Sequence, residues 1–195
     1  MKKIDIVCDI ETLGTKPGSA IIQIAAIAGS FVDNKTYAVF NEYIKPDKTS
    51  NIDLDTVVWW STKNSELFKK ILEAGKINEH DAIAKFVCWM EDVRKEVADN
   101  EEDKKAELLF WGNGALFDNI FIKTSCEKYG VTYPIKYWND RDLRTLYSLY
   151  AIKHNISEKE LKEKLAPAGF VAHDALNDAE LEFIVGAKVF EDLLK

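Results

Sequence analysis

Residues 4–11 read Ile-Asp-Ile-Val-Cys-Asp-Ile-Glu, an alternation of side chains that predicts a β-strand. Successive side chains of a strand point to opposite faces, so the isoleucines and Cys8 share one face while Asp5, Asp9 and Glu11 share the other. Asp9 and Glu11 are two residues apart, roughly 6.6 Å along that face. Acidic residues are depleted in strands and costly to bury without partners, so the pair indicates a functional site rather than a charged strand end.

Two carboxylates at this spacing are suited to bind divalent cations. The ions of two-metal catalytic sites lie about 3.5–4 Å apart, so one carboxylate can bridge both ions while its neighbour holds one of them. Two further carboxylates, Asp118 and Asp178, and an imidazole, His173, follow later in the chain. If the fold brings these side chains together, they suffice to hold two divalent cations and to activate one water molecule for phosphodiester hydrolysis.

Asp118 closes a segment, residues 111–118, that reads Trp-Gly-Asn-Gly-Ala-Leu-Phe-Asp and joins a predicted strand to a predicted helix. The glycines allow a tight turn and a close approach of backbone to a ligand. Asp118 is expected in the first helical turn, where free N–H groups and the helix dipole favour anions. Such an acid could hold a metal or simply complement the helix N-terminus, and the residue alone does not decide between them.

His173 and Asp178 flank the start of the last predicted helix. We expect His173 in the preceding loop, where it can turn toward a metal-bound water, and Asp178 in the first turns, where it is fixed. Taken alone, His173 would more simply be an exposed or capping histidine. Its occurrence together with the carboxylates favours a catalytic role.

Length and composition are those of an ordinary globular protein. The 195 residues suffice for one domain, residues 1–195, with a sizeable core. The net charge of −7 argues against tight, non-specific binding of duplex nucleic acid, although bound cations would reverse the local field at the site. The three cysteines indicate neither a disulfide framework nor a zinc site. Acids at 5, 9 and 11 argue against a signal peptide, and no apolar run is long enough to span a membrane. We therefore expect a cytoplasmic protein (in the host cytoplasm if a phage encodes it) with no membrane partner.

The hydrophobic periodicity predicts three early strands, and then strands that alternate with helices. Strands are predicted at 4–11, 20–32, 36–44, 108–111 and 135–138, and helices within 56–75, 81–98, 115–129, 142–153 and from 174 onward. The charge run at 101–105 is predicted to be a solvated loop. Short turns between the early strands favour an antiparallel meander, and the later helices favour parallel crossovers. A mixed sheet with helices on both faces is expected.

Three motifs occur in order along the chain: Asp-Ile-Glu-Thr-Leu-Gly at 9–14, Asn-Gly-x-x-Phe-Asp at 113–118 and His-Asp-Ala-Leu-Asn-Asp at 173–178. Together they resemble the DEDDh superfamily of 3′–5′ exonucleases. The spacing of the histidine and the last acid separates this branch from a sister branch that uses a tyrosine. The stretches 59–60, 137–145 and 169–174 further resemble phage single-stranded-DNA exonucleases of the DexA kind. The same branch includes the bacterial exoribonuclease RNase AS.

The resemblance implies an α/β, ribonuclease H-like fold with a mixed five-stranded sheet of order 3-2-1-4-5 and helices on both faces. It implies that Asp9 bridges two divalent cations, that Glu11 and Asp178 complete the first, and that Asp118 holds the second. The cations would be Mg²⁺, with Mn²⁺ as a substitute. His173 would take the proton from the attacking water, and 5′-mononucleotides would leave stepwise from the 3′ end.

Other residues carry weaker expectations. By the same resemblance Thr12 would contact the terminal 3′ hydroxyl and Leu13 the base, while Phe117 would either stack on the last bases or belong to the core. Trp59 and Trp60 are predicted to be buried, because large aromatic side chains usually are. Two acids are interpreted as helix caps and two arginines as pairing or subunit contacts: Asp140, Asp142, Arg141 and Arg144.

The leading interpretation is a metal-dependent 3′–5′ exonuclease that acts on the 3′ ends of single strands. The resemblance favours DNA, and an exoribonuclease of the RNase AS kind is the alternative, since no residue by itself settles the sugar. A non-catalytic module that binds nucleic-acid ends would be expected to lack an acid or His173, and none is missing. The sequence leaves monomer and homodimer open.

Overall fold

The computed structural model of the protein describes residues 1–100 and 105–195; of the charge run at 101–105, only Lys105 falls within them. Five strands lie in this part of the chain: β1 (Lys2–Thr12), β2 (Ile21–Ser30), β3 (Lys35–Tyr43), β4 (Ala106–Gly112) and β5 (Asp140–Asp142). The helices of the same part are α1 (Leu54–Lys63), α2 (Ser65–Ala74), α3 (Glu79–Asp99), α4 (Asp118–Tyr129), α5 (Leu143–His154), α6 (Glu158–Leu165) and α7 (Ala175–Leu193).

The strands form one mixed sheet in the order β3-β2-β1-β4-β5. β1, β2 and β3 pair in antiparallel fashion, whereas β4 runs parallel to β1 and β5 runs parallel to β4. The predicted strand order is therefore confirmed, as is the meander followed by parallel additions. Pairing of β1 with β4 ends at Val7 and Trp111. Asp9 and Glu11 lie beyond that point, where β4 has already turned away toward α4.

Apolar side chains cover both faces of β1. Its isoleucine face packs against α3 and α4 in a core that includes Cys8, Phe86 and Phe121. The opposite face, which carries Val7, packs against α5, α6 and α7. A central strand buried on both sides has little solvent contact, so its acidic side chains must find partners inside the protein or at the end of the strand.

A third apolar cluster lies under α1 and α2, where Trp60 packs beside Leu13 and Ile71. The Trp60 indole N–H donates a hydrogen bond of 3.0 Å to the carbonyl of Thr12, which ties α1 to the end of β1. The predicted helical region is confirmed, although Asn64 divides it into two helices. Burial of Trp60 is confirmed. The prediction that Trp59 is buried is wrong, since this residue is 39% exposed.

Two elements begin at positions other than those predicted from the sequence, and one helix was not predicted. α4 begins at Asp118 and not at residue 115, because Gly114 adopts φ +126° and a turn separates β4 from the helix. β5 follows a 3₁₀ turn at Tyr137–Asn139 and does not occupy 135–138. The charged helix α6 was not predicted, although Ser157 and Glu160 form the capping box that marks its start.

Among residues 1–100 and 105–195, no helix has both the length and the apolar character that crossing a membrane demands.

Candidate active site

The predicted metal-binding residues meet in one cleft at the end of β1. Asp9 and Glu11 enter it from β1, Asp118 from the start of α4, and Asp178 from the first turns of α7, with His173 in the loop before α7. The cleft has a volume of about 760 Å³. The rest of its lining comes from β1, from the turn after β4, from the end of β5 and from α5, α6 and α7: Ile10, Asn113, Gly114, Leu116, Phe117, Asp142, Arg144, Lys162 and Glu182.

Gly112 allows the start of α4 to approach the sheet. A Cβ atom at this position would lie 2.5 Å from Asn119 Oδ1 and 3.0 Å from Asp118 Cβ, which no side chain could accommodate without moving the helix. Asn119 Nδ2 in turn donates to the Phe110 carbonyl at 3.3 Å and to Asp140 Oδ1 at 2.9 Å. These contacts fix Asp118, the first residue of the helix, against the end of β1.

The start of α7 is anchored to the sheet by a buried side chain of β2. Gln23 is fully buried, and its Oε1 accepts a hydrogen bond of 3.2 Å from the Ala175 backbone N–H. Asp174 caps the helix and accepts a hydrogen bond from the Asn177 N–H. The first turns of α7, which carry Asp178, are therefore held in place beside β1.

His173 adopts a left-handed backbone conformation with φ +66°. Such a conformation in a non-glycine residue costs of order 1–3 kcal/mol and is typical of functional sites. The His173 N–H donates to Asp178 Oδ2 at 2.7 Å, which offsets part of that cost and ties the loop to the helix. The exposed imidazole meets the ring of Trp59 edge-on, with centroids 5.0 Å apart. Potential ligand atoms of Glu11, His173 and Asp178 all lie within 4.8 Å of one another.

Five carboxylates of the cleft have pKa values raised above the ordinary range, which disfavours their charged forms when no cation is bound: Asp9, Glu11, Asp118, Asp178 and Glu182. Burial, and after it the charges of Asp178 and Asp118, raise the pKa of Glu11 to about 9. Burial also raises the pKa of Asp118 to about 7, against hydrogen bonds and the charge of Arg144, which lower it. The pKa of Asp9 lies well above its ordinary value, first through burial and then through neighbouring carboxylates. Oxygen ligands crowded together in this way match the coordination preference of hard divalent cations.

Glu182 is an acid of the cleft that was not predicted from the sequence. It lies on α7 four residues after Asp178, so the two side chains share one face of the helix. Its side chain is 2% exposed, and Lys162 of α6 lies 3.6 Å from its Oε1. The four-residue spacing from Asp178 was the signal in the sequence that could have placed Glu182 beside the predicted ligands.

The residues around β5 have mixed roles. Asp142 caps α5 as predicted, and it also accepts a hydrogen bond of 2.8 Å from the Ala115 N–H in the turn before α4. Asp140 is not a helix cap, so that interpretation is wrong; it accepts hydrogen bonds from Asn119 and Tyr133 instead. Arg144 donates to the Asn113 carbonyl at 3.1 Å and lines the cleft. Arg141 donates to two backbone carbonyls, those of Trp138 and Asp140.

The predicted substrate contacts differ in their placement. Phe117 lines the cleft and packs against Phe121, with ring centroids 4.5 Å apart. Leu116, which was not predicted, lines the same cleft and is 87% exposed. Thr12 is buried with its hydroxyl donating to the Gly14 carbonyl, and Leu13 is 3% exposed within the third apolar cluster. The contacts proposed for Thr12 and Leu13 stay predictions, and their side chains would have to move to make them.

A ribonuclease H-like sheet with acids gathered at the end of β1 defines the class of protein, a DEDDh nuclease. Comparison with known sequences gives the family within that class. The family described as the Rv2179c-like 3′–5′ exoribonuclease domain matches residues 4–189. The chain belongs to this family and is a 3′–5′ exonuclease.

The names of similar proteins and solved structures refer to both DNA and RNA components. The exodeoxyribonuclease of Enterobacteria phage T4 is 24% identical over 208 residues, covering 93% of this chain and 86% of the phage protein. The nuclease domain of 3′hExo bound to rAMP has a TM-score of 0.61 at 12% identity, over 97% of this chain and 92% of that one. E. coli exonuclease I in complex with single-stranded DNA has a TM-score of 0.66 at 17% identity, over all of this chain and 43% of that one. The structural comparisons establish a shared fold.

Proposed function

We propose that residues 1–195 form one exonuclease domain that hydrolyses single-stranded nucleic acid, with DNA favoured, from the 3′ end to 5′-mononucleotides. One observation carries the proposal: Asp9, Glu11, Asp118 and Asp178, from three separate elements, line the same cleft as His173. Such convergence has no structural advantage, since each added carboxylate raises the cost of burying the others.

The carboxylate cluster fits two divalent cations, for which we propose Mg²⁺, with Mn²⁺ as a substitute. Asp9 would contact both, Glu11 and Asp178 would complete one, and Asp118 would hold the other. Cations bound there would generate a nucleophile from water and neutralise charge on the leaving 3′ oxygen. The raised pKa values of Glu11 and Asp118 support this assignment, because a cation is the partner that would make their charged forms stable.

His173 is the proposed general base. Its imidazole is exposed at the cleft, while its backbone is bound to Asp178 and its ring is supported by Trp59. The side chain can therefore turn toward an attacking water without releasing the loop. A positioned histidine in this role contributes typically about 10²–10⁴-fold to the rate.

The turn between β4 and α4 offers the surface for the terminal nucleotides. Leu116 and Phe117 present apolar groups to the cleft, and Arg144 places a cation beside them. Base stacking on an aromatic ring is worth roughly 1–3 kcal/mol, so Phe117 would hold a strand without regard to sequence. Thr12 and Leu13 would contribute at the 3′ hydroxyl and the base if the end of β1 adjusts on binding.

The choice between DNA and RNA rests on the relatives. The phage T4 exodeoxyribonuclease supports DNA, because it aligns with nearly the whole chain. The family description supports RNA as the second candidate, because it names an exoribonuclease and matches residues 4–189. Discrimination depends on the fit around the 2′ hydroxyl, and no residue of the cleft by itself decides the sugar.

A time course on matched 5′-labelled DNA and RNA oligonucleotides, with Mg²⁺, with Mn²⁺ and with EDTA, tests the proposal. We expect a ladder that shortens from the 3′ end, is lost in EDTA and is faster on DNA. A faster ladder on RNA would favour the exoribonuclease. Lack of cleavage of both oligonucleotides in either metal would favour a module that only binds ends. His173→Ala retains the carboxylates of the proposed cation site, so it serves as the matched control for loss of the general base alone.

A further inference from the structure

Glu182 lies in the cleft with one carboxylate oxygen that its contacts within the described chain leave unpaired. Its side chain is 2% exposed, and its Oε2 atom has no hydrogen-bond partner among residues 1–100 and 105–195. Leaving a buried carboxylate oxygen unpaired is costly. Asn113 and Lys162 lie close enough to stabilise the charged form, but Lys162 faces Oε1, at 3.6 Å. The unpaired oxygen therefore requires a partner that the described chain does not supply.

The neighbours of Glu182 indicate the chemistry of that partner. Asp178 lies one turn earlier on the same face of α7. Asp118 is close enough for its charge to raise the pKa of the Glu182 carboxyl. Among the carboxylates near Asp9, Glu182 is the one whose charge raises the pKa of Asp9 the most. The orphaned oxygen thus lies among the residues proposed to hold the cations.

The charges of the cleft agree with a role for Glu182 toward cations. Its lining carries six carboxylates and two cationic side chains, Arg144 and Lys162. When all of these groups are ionised, the lining has a net charge that two divalent cations would neutralise. Lys162, whose side chain is 30% exposed, lies 3.6 Å from Oε1 of Glu182 and offsets part of its charge.

We propose that Glu182 is a fifth carboxylate of the cation site, bound to Lys162 through Oε1 and directed through Oε2 toward a cation or a water molecule that the cation holds. This inference rests on the proposed function and extends it to a residue outside the three motifs. Lys162 is then a competing positive charge and not a necessary part of the cation site.

Calorimetric titration of the metal-free full chain with Mn²⁺, without substrate, tests this role. Glu182→Gln keeps the shape of the side chain and removes its charge, and we expect it to weaken Mn²⁺ binding by about 10–100-fold, the range seen when outer partners of a metal site are lost. Lys162→Met removes the competing charge, and we expect unchanged or tighter binding. Circular dichroism of each variant checks that the fold is retained.

The two variants separate the proposal from a purely structural ion pair. Wild-type Mn²⁺ affinity in Glu182→Gln, or equal weakening in both variants, would overturn it. If Glu182→Gln does not fold, Lys162→Met alone decides, since weaker binding there contradicts the proposal. Asp9→Asn provides the reference. If it loses Mn²⁺ while Glu182→Gln keeps it, only this inference fails; if neither variant changes affinity, the proposed cation site fails as well.

Discussion

The two ends of β1 each bury acidic side chains on the same face, and they treat those acids in opposite ways. At the N-terminal end Asp5 is 6% exposed and fully engaged, since Oδ2 accepts a hydrogen bond of 2.9 Å from the Phe31 N–H and Oδ1 accepts one of 2.8 Å from the Trp111 indole. At the C-terminal end the Asp9 carboxylate has no hydrogen bond within the described ranges and is surrounded by other carboxylates.

The difference separates a structural acid from a functional one. Burial raises the pKa of Asp5, but the hydrogen bonds from Phe31 and Trp111 oppose that rise. Burial also raises the pKa of Asp9, and the neighbouring charges of Glu182, Asp118 and Glu11 act in the same direction. An acid whose partners come from the protein stabilises the fold. An acid whose neighbours all repel its charge is suited to bind a cation.

Replacing Asp9 should have the largest effect. Asp9→Ala removes the carboxylate proposed to contact both cations, so we expect loss of measurable cleavage in the oligonucleotide assay with Mg²⁺. Asp5→Asn, at the other end of the same strand, should retain cleavage. Normal turnover by Asp9→Ala would contradict the two-metal assignment and the functional role given to the C-terminal end of β1.

Replacing His173 should have the next largest effect. His173→Ala should slow cleavage by about 10²–10⁴-fold, because the general base is lost while the carboxylates remain. Mn²⁺ binding measured by calorimetry should stay within a few-fold of wild type. A variant that lost cation binding along with activity would show that His173 acts as a ligand, a role for which the 4.8 Å cluster with Glu11 and Asp178 provides the geometry.

Alternation along β1 and helix spacing are local signals, and they predicted the elements that carry the three motifs. The sheet order and the meeting of the motifs in one site were implied by the resemblance to the DEDDh exonucleases. Asp5 shows what local signals do not reveal. It shares a face with Asp9 in the pattern, and only the tertiary contacts of Phe31 and Trp111 identify it as structural. Glu182 shows the converse, since its spacing from Asp178 places it on the same face of α7, and the tertiary structure then shows that it is buried beside the other acids of the cleft.

The tertiary structure also shows why the predicted start of α4 and the predicted burial of Trp59 were wrong. Gly114 delays the start of α4 through its positive φ, a conformation that composition allows but does not require. Trp59 was expected in the core, but it lies at the surface, where its ring contacts the imidazole of His173. Both features belong to the cleft, where the needs of a site compete with the local rules of folding.

The pH dependence of stability gives a smaller effect. The folded pKa of Glu11 is about 9, against an ordinary value of 4.5. Between these values the folded protein binds more protons than the unfolded chain, so stability without cations should fall as pH rises from about 4.5 to 9. Urea unfolding in EDTA from pH 5 to pH 9 measures this slope. Mn²⁺ should restore more stability at pH 8 than at pH 5. Flat profiles in EDTA would contradict the assignment of Glu11 as an unpaired buried acid.

The smallest effect is a change of sign between two matched substitutions, Asp5→Asn and Asp9→Asn. At position 5 both carboxylate oxygens accept hydrogen bonds, so an amide would turn its NH₂ group toward a donor and should cost about 1–3 kcal/mol. At position 9 the amide removes a charge that its neighbours repel, so the metal-free protein should gain about 0.5–2 kcal/mol, the usual size of a single stabilising substitution. Urea unfolding at pH 8 in EDTA measures both. Destabilisation by both substitutions would mean that Asp9, like Asp5, serves the fold, and the two ends of β1 would then differ in degree alone.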